Sequence, residues 1–215
     1  MSAEALSNGP RSRTEDEAVA DFTAMIRDQN VSPDAIAKLL DGLSDAMRPR
    51  VVRTLGPASQ KALYAKAQGF AALRLVDIVP ASLGDLEEVR HLGRNTLPAF
   101  RIFEKRFCRL AGSNAEDPDM LAGYNFQTMS PITGPGYFLA RQDESRGEIL
   151  VDYGRLPDSR PSHWPEIRPN ERGLSRFVYG FMIDTLRRVS EHVTIGSAAR
   201  KGKDMNSYFA LCRVD

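Results

Sequence analysis

At about residue 99 the spacing of apolar side chains in this chain shortens from three-to-four residues to two. The first spacing lays a stripe along one face of a helix; the second puts alternate residues on one face of a strand. A chain that does both in succession is restricted to folds in which helices come first and strands dominate later. Its 215 residues fit one domain, or one domain with a small helical appendage. A chain of that size buries enough surface to need neither a disulfide nor a metal staple.

Residues 1–13 carry Asn8-Gly9-Pro10 and little that is apolar, and read as a disordered tail. Order is expected from Thr14, whose hydroxyl and the Glu17 carboxylate have capping-box spacing. Val19, Phe22 and Ile26 then recur at helical intervals toward Gln29-Asn30. Ser32 and Pro33 open a second helix, with Ile36, Leu39, Leu40 and Leu43 on its buried face. A third helix is expected from Asp45 to Leu55, stopped by Gly56-Pro57, and a fourth from Ala58 to Gln68, ended by Gly69. Residues 14–69 thus form a helical segment whose stripes need covering, by each other or by the rest of the chain.

Residues 70–215 read as an antiparallel α+β domain. Leu73 to Val79 suggests a short strand broken by Pro80, and Ser82 to Glu88 one or two helical turns. Phe100 to Leu110 reads as a strand with Phe103, Lys105, Phe107 and Arg109 on one face. Leu121–Met129, Tyr137–Arg141 and Glu148–Tyr153 come next as a meander, and their short connections imply antiparallel pairing. The crossing Leu156–Pro169 holds four prolines and Trp164, which excludes a helix or an inner strand. Leu174, Phe177, Val178, Phe181, Met182, Thr185, Leu186 and Val189 then give a broad helical stripe, with Arg187-Arg188 suited to its C-terminal end. Val193–Ile195 and Tyr208–Cys212 close the sheet across a polar stretch, Gly196–Ser207. The expected fold is α+β: short N-terminal helices, then a curved antiparallel β-sheet packed against one long helix.

Composition narrows the function classes. A net charge of +1, from 29 basic and 28 acidic residues, argues against nucleic acid or an anionic membrane as a partner held by bulk electrostatics. No apolar run approaches the ~18 residues a membrane-spanning helix needs, and Met1-Ser2-Ala3-Glu4 lacks the basic start of a signal peptide. Cys108 and Cys212, each in a strand-like run, make neither a disulfide framework nor a zinc pattern. A cytoplasmic location with free, buried thiols is the expectation.

No motif carries chemistry by itself. His91, His163 and His192 show no metal-ligand spacing, so no metal and no cofactor are expected. Gly196 to Lys203 reads GSAARKGK, but five residues separate its first and second glycines and Asp204 follows Lys203, so it is a hairpin loop rather than a phosphate loop. Thr133-Gly134-Pro135-Gly136 is a turn between strands. Ser175 and Ser197 lack a nucleophile elbow. His163 lies on the Pro-rich crossing as on a lid, and His192 adjoins Glu191 at the end of the expected long helix. Glu104, Asp152 and Asp184 sit inside apolar runs; each either faces water or needs a partner such as Arg106, Arg141 or Arg176.

The best ligand-binding set is Tyr124, Asn125 and Gln127 with Ser130 on one strand, Tyr137 and Tyr153 on its neighbours, and Arg176 on the helix above. Three readings remain open. The first is a non-enzymatic small-molecule-binding or sensory-type domain with its pocket between sheet and helix. The second is a cofactor-independent hydrolase or lyase using His163, His192, Asp152 or Tyr124. The third is an interaction module that binds a protein partner or a second copy through the N-terminal helices.

Overall fold

The computed structural model describes residues 13–127, 134–170 and 179–214. Four helices lead: α1 (Glu15–Arg27), α2 (Pro33–Asp41), α3 (Arg48–Val52) and α4 (Pro57–Lys66). Both arms of the Thr14–Glu17 capping box form, and the Ser32 hydroxyl accepts from the Ala35 amide with Pro33 at the first helical position. Pro57, expected to end the third helix, instead opens the fourth. Arg48 is buried at the start of α3, and its guanidinium reaches back to donate to the carbonyls of Leu40 at 3.0 Å and Leu43 at 2.8 Å. The Leu40 carbonyl also takes the Leu43 amide at 3.2 Å, so the guanidinium reinforces the end of α2.

The remainder is a barrel. A one-turn helix α5 (Leu75–Ile78) precedes β1 (Val89–Asn95), β2 (Ile102–Arg109), β3 (Met120–Phe126), β4 (Tyr137–Asp143), β5 (Glu148–Asp152), β6 (Met182–Arg188), β7 (Val193–Arg200) and β8 (Lys203–Val214). Each strand pairs antiparallel with the next, and β8 returns to β1 to close the ring. This overturns the expected curved sheet under one long helix. Met182 to Arg188, placed on that helix, is a strand hydrogen-bonded on both sides, with Val151 opposite Asp184 and Ala198 beyond it. The helical stripe and a two-residue alternation share Met182 and Leu186, but burial follows the alternation: Asp184 and Leu186 are buried while Ile183 is exposed. Backbone partners on both flanks decide for the strand. Leu174, Phe177 and Val178, with Arg176, lie outside the described residues.

Two smaller expectations are also corrected. Leu75 to Ile78 is helical rather than extended. The polar stretch after Ile195 is mostly β-ladder, since β7 runs to Arg200 and turns at Lys201-Gly202, both with positive φ. The expected strand at Phe103–Arg109 is present as β2.

Alternate residues of each strand point into the barrel, and the ring is filled unevenly. Leu75, Ile78 and Val79 of the α5 segment pack with Val89, Phe107, Leu121, Phe138 and Ile149, plugging one end. Arg213 and His91 tie this plug to the wall by hydrogen bonds to the carbonyls of Asp77 (2.6 Å) and Ile78 (3.1 Å). Interior aromatics fit because facing positions are bare. A Cβ on Gly123 would lie 2.3 Å from the Phe138 ring, and one on Gly196 2.3 Å from the Phe209 ring.

Two layers cover the outside. The helical stripes of α1 to α4, including Phe22, Ile36, Leu40 and Leu43, pack on Val193, Ile195, Ala210 and Cys212 of β7 and β8. Arg187 of β6 adds a clamp, donating to the Tyr64 carbonyl at 2.9 Å with its guanidinium over the Tyr64 ring. Trp164 on the Pro-rich crossing covers Cys108, Ala122, Tyr124, Tyr137 and Leu139 on the far wall.

Candidate functional site

The barrel end away from α5 is hollow. A cavity of about 350 Å³ opens there, within the range typical of small-molecule sites. Its walls include Leu97, Phe103, Met182, Met205 and Phe209. Apolar Leu97 and Met205 are exposed among lining residues that also include polar Asn95, Arg200 and Ser207, and Phe100 and Phe181 are exposed in the adjoining segments. Phe100 and Phe181 have φ of 52° and 60°, a left-handed conformation that bulky residues rarely adopt and that concentrates near functional sites.

Four polar side chains meet at the cavity floor. Lys105 arrives from β2, Asn125 from β3, Tyr153 from just beyond β5 and Asp184 from β6. The Lys105 ammonium donates to Asp184 Oδ2 at 3.0 Å, to Asn125 Oδ1 at 3.1 Å and to the Tyr153 hydroxyl. Asn125 Nδ2 donates to the same hydroxyl at 2.9 Å, and Tyr153 in turn donates to Asp184 Oδ2 at 3.1 Å. Three rings surround the charge, with Lys105 Nζ 4.9–5.0 Å from the centroids of Phe138, Tyr153 and Phe209. Tyr179 stacks on Tyr153 at 5.4 Å and takes a hydrogen bond from Gln127 Nε2 at 2.9 Å.

All three ammonium donors are therefore used, as burial of a charge requires. Asp184 is less well served. Its Oδ1 is buried and has no hydrogen-bond partner among the described residues, although Asp184 lines the cavity. Burial pushes the Lys105 ammonium below the usual lysine range, against the opposing pull of Asp184. Burial and, secondarily, the Asp184 charge hold the Tyr153 phenol protonated well above its ordinary range.

Strand periodicity splits the ligand-binding set expected from sequence. Asn125, Gln127 and Tyr153 line the cavity. Tyr124 and Tyr137 face outward beneath Trp164, and the Tyr137 hydroxyl bonds the Pro165 carbonyl. Arg176 and Ser130 lie outside the described residues. None of the three histidines lines the cavity. His163 is exposed on the crossing, 3.4 Å from Glu88 Oε2, which also accepts from Trp164 Nε1 at 2.6 Å. His192 Nδ1 is 3.1 Å from the Arg213 guanidinium. Of the three acids, Glu104 bonds Arg90 and Arg106, Asp152 accepts from the Gly154 amide at 2.8 Å, and Asp184 alone lines the cavity.

Sequence reasoning placed Lys105 on the face it shares with Phe103 and Phe107 without reading it as a site residue. A lysine between two phenylalanines on one strand face was the available signal.

No helix among the described residues is long and apolar enough to cross a membrane, and no cluster of His, Cys, Asp or Glu among them could hold a metal. The fold and cavity define a closed, up-and-down eight-stranded antiparallel barrel with a hollow end. No protein-family model, curated protein or solved structure matches this chain.

Proposed function

We propose that this protein is a small-molecule-binding barrel whose ligand enters at the end away from α5 and rests on the Lys105–Asp184 floor. The cavity carries the reading: a space of about 350 Å³ with largely apolar walls and a few convergent polar groups at its base. Eight strands give a ring just wide enough either to fill with side chains or to hold one small ligand, and here one half is filled while the other is hollow. Closure also fixes the walls, so binding need not order them. The preferred ligand is predominantly apolar, to match Phe103, Met182 and Phe209, and carries one polar group that meets the Lys105–Asp184 floor.

The test uses N-phenyl-1-naphthylamine, a neutral, apolar fluorophore with one N–H donor. It should bind the protein one to one with blue-shifted, enhanced emission. Ala198→Phe fills the cavity from β7 and should remove that binding while the circular dichroism spectrum stays that of the wild type. Binding that survives in a folded Ala198→Phe protein rules out the barrel interior as the site.

A further inference from the structure

We infer that the barrel captures carbonyl compounds, apolar aldehydes above all, as a Schiff base on the Lys105 amine at the cavity floor. The inference rests on the small-molecule-binding reading above and names the ligand chemistry of the same site.

Three features point to it. Lys105 is the lysine that lines the cavity, whereas Lys38, Lys61, Lys201 and Lys203 are exposed on the outside. Its side chain is only 2% exposed yet lines the hollow end, so a bound molecule meets it away from bulk water. A lysine desolvated in an apolar pocket is a stronger nucleophile near neutral pH than one in water. Asp184 supplies the proton traffic: Oδ2 holds the ammonium at 3.0 Å, and Oδ1 is a buried acceptor with no partner among the described residues.

The step balances. The ammonium passes one proton to Asp184, and the free amine attacks the carbonyl carbon to form a C–N bond. After a proton moves from nitrogen to oxygen, the product is a neutral carbinolamine. The Asp184 carboxylic acid then protonates the hydroxyl, the C–O bond breaks and water leaves. A protonated imine remains, facing the restored Asp184 carboxylate. Ammonium plus aldehyde has become iminium plus water, with charge unchanged and no oxidant or reductant consumed. Asp184 then serves as counter-ion to the iminium, as it does to the ammonium, while Tyr153 and Asn125 retain their mutual hydrogen bond.

The full chain is incubated with 2-naphthaldehyde and sodium cyanoborohydride near neutral pH, and the labelled peptides are mapped by mass spectrometry. The expected result is one adduct, of the aldehyde's mass less one oxygen, with more label at Lys105 than at any exposed lysine. Excess N-phenyl-1-naphthylamine should suppress that label and leave the slow labelling of Lys38 and Lys61 unchanged. Lys105→Arg should lose the adduct. Label confined to exposed lysines while the fluorophore still binds the cavity overturns the Schiff-base inference and leaves the binding reading standing. Absence of fluorophore binding as well overturns both.

Discussion

Lys105 of β2 and Asp184 of β6 stand on opposite sides of the barrel ring and meet at 3.0 Å across its interior, with side chains 2% and 3% exposed. Neither charge could be buried there alone. Lys105→Met or Asp184→Asn by itself should cost about 3–5 kcal/mol, because the remaining partner is left in an apolar interior. The double variant should lose clearly less than the sum of the two. Urea denaturation of all four proteins measures the coupling, and simple additivity would mean that the contact does not hold the barrel together.

Bare backbone at two positions admits the interior aromatics. Gly123→Ala and Gly196→Ala each place a methyl group 2.3 Å from a ring carbon, of Phe138 and Phe209 respectively. Overpacking of this kind costs about 1–3 kcal/mol. Gly202→Ala is the contrast: nothing lies within 4 Å of its Cβ, but its φ is +75°, so its penalty is backbone strain at a turn. Melting curves should show the two interior variants destabilised. Fluorophore binding should fall in Gly196→Ala, where Phe209 must move into the cavity.

Buried phenol and thiol groups set the alkaline limit. Burial pushes the Cys108 thiol from 9.0 up to about 12, and holds Tyr153 well above the ordinary phenol range. Between its unfolded and folded values each group keeps its proton only in the native state. Their contribution is therefore complete below about pH 9 for the thiol and about pH 10 for the phenol, and is lost as pH rises through the folded values. Lys105 acts in the opposite sense. Its folded value lies below 10.5, so between the two the unfolded chain binds more protons and stability rises with pH. Tyr153→Phe should flatten the loss of stability above pH 10 relative to the wild type. Native protein at pH 8 should leave the buried thiols of Cys108 and Cys212 unreactive toward a thiol reagent, and both should react in denaturant.

The helical layer depends on one buried guanidinium. Arg48→Ala strips the Leu43 carbonyl of its guanidinium donor and leaves the Leu40 carbonyl only its backbone bond from Leu43. Each buried acceptor left unsatisfied costs about 1–3 kcal/mol. Thermal unfolding should show a marked drop for Arg48→Ala. Asp45→Ala, which removes the exposed partner of the same arginine, should change little.

The leading helical segment was largely legible because its signals are local. The Thr14–Glu17 box, the Ser32-Pro33 start and the Ile36–Leu43 stripe each act within one or two turns, and the structure places helices there. The β2 alternation from Phe103 to Arg109 was legible for the same reason. The Leu174–Val189 stripe misled because Met182 and Leu186, four residues apart, satisfy both periods. Choosing between them depends on β5 and β7, whose backbones lie on either side.

Pairing Tyr124 and Tyr137 with Asn125 and Tyr153 in one pocket failed on geometry. Successive strand residues face opposite sides, so Tyr124 went under Trp164 while Asn125 turned inward. Asp184 was recognised as an acid in an apolar run that would need a partner if it turned inward, and the partner proved to be Lys105, 79 residues away.

The sequence by itself determined the leading helices before the barrel, the antiparallel meander, the buried thiols and the polar character of Asn125, Gln127 and Tyr153, since each arises from neighbours along the chain. Closure of the ring, the hollow beyond the α5 plug and the meeting of Lys105 with Asp184 belong to the tertiary structure. They arise when β8 finds β1, a contact between segments separated by most of the barrel, and no local periodicity encodes which distant backbone will accept a hydrogen bond.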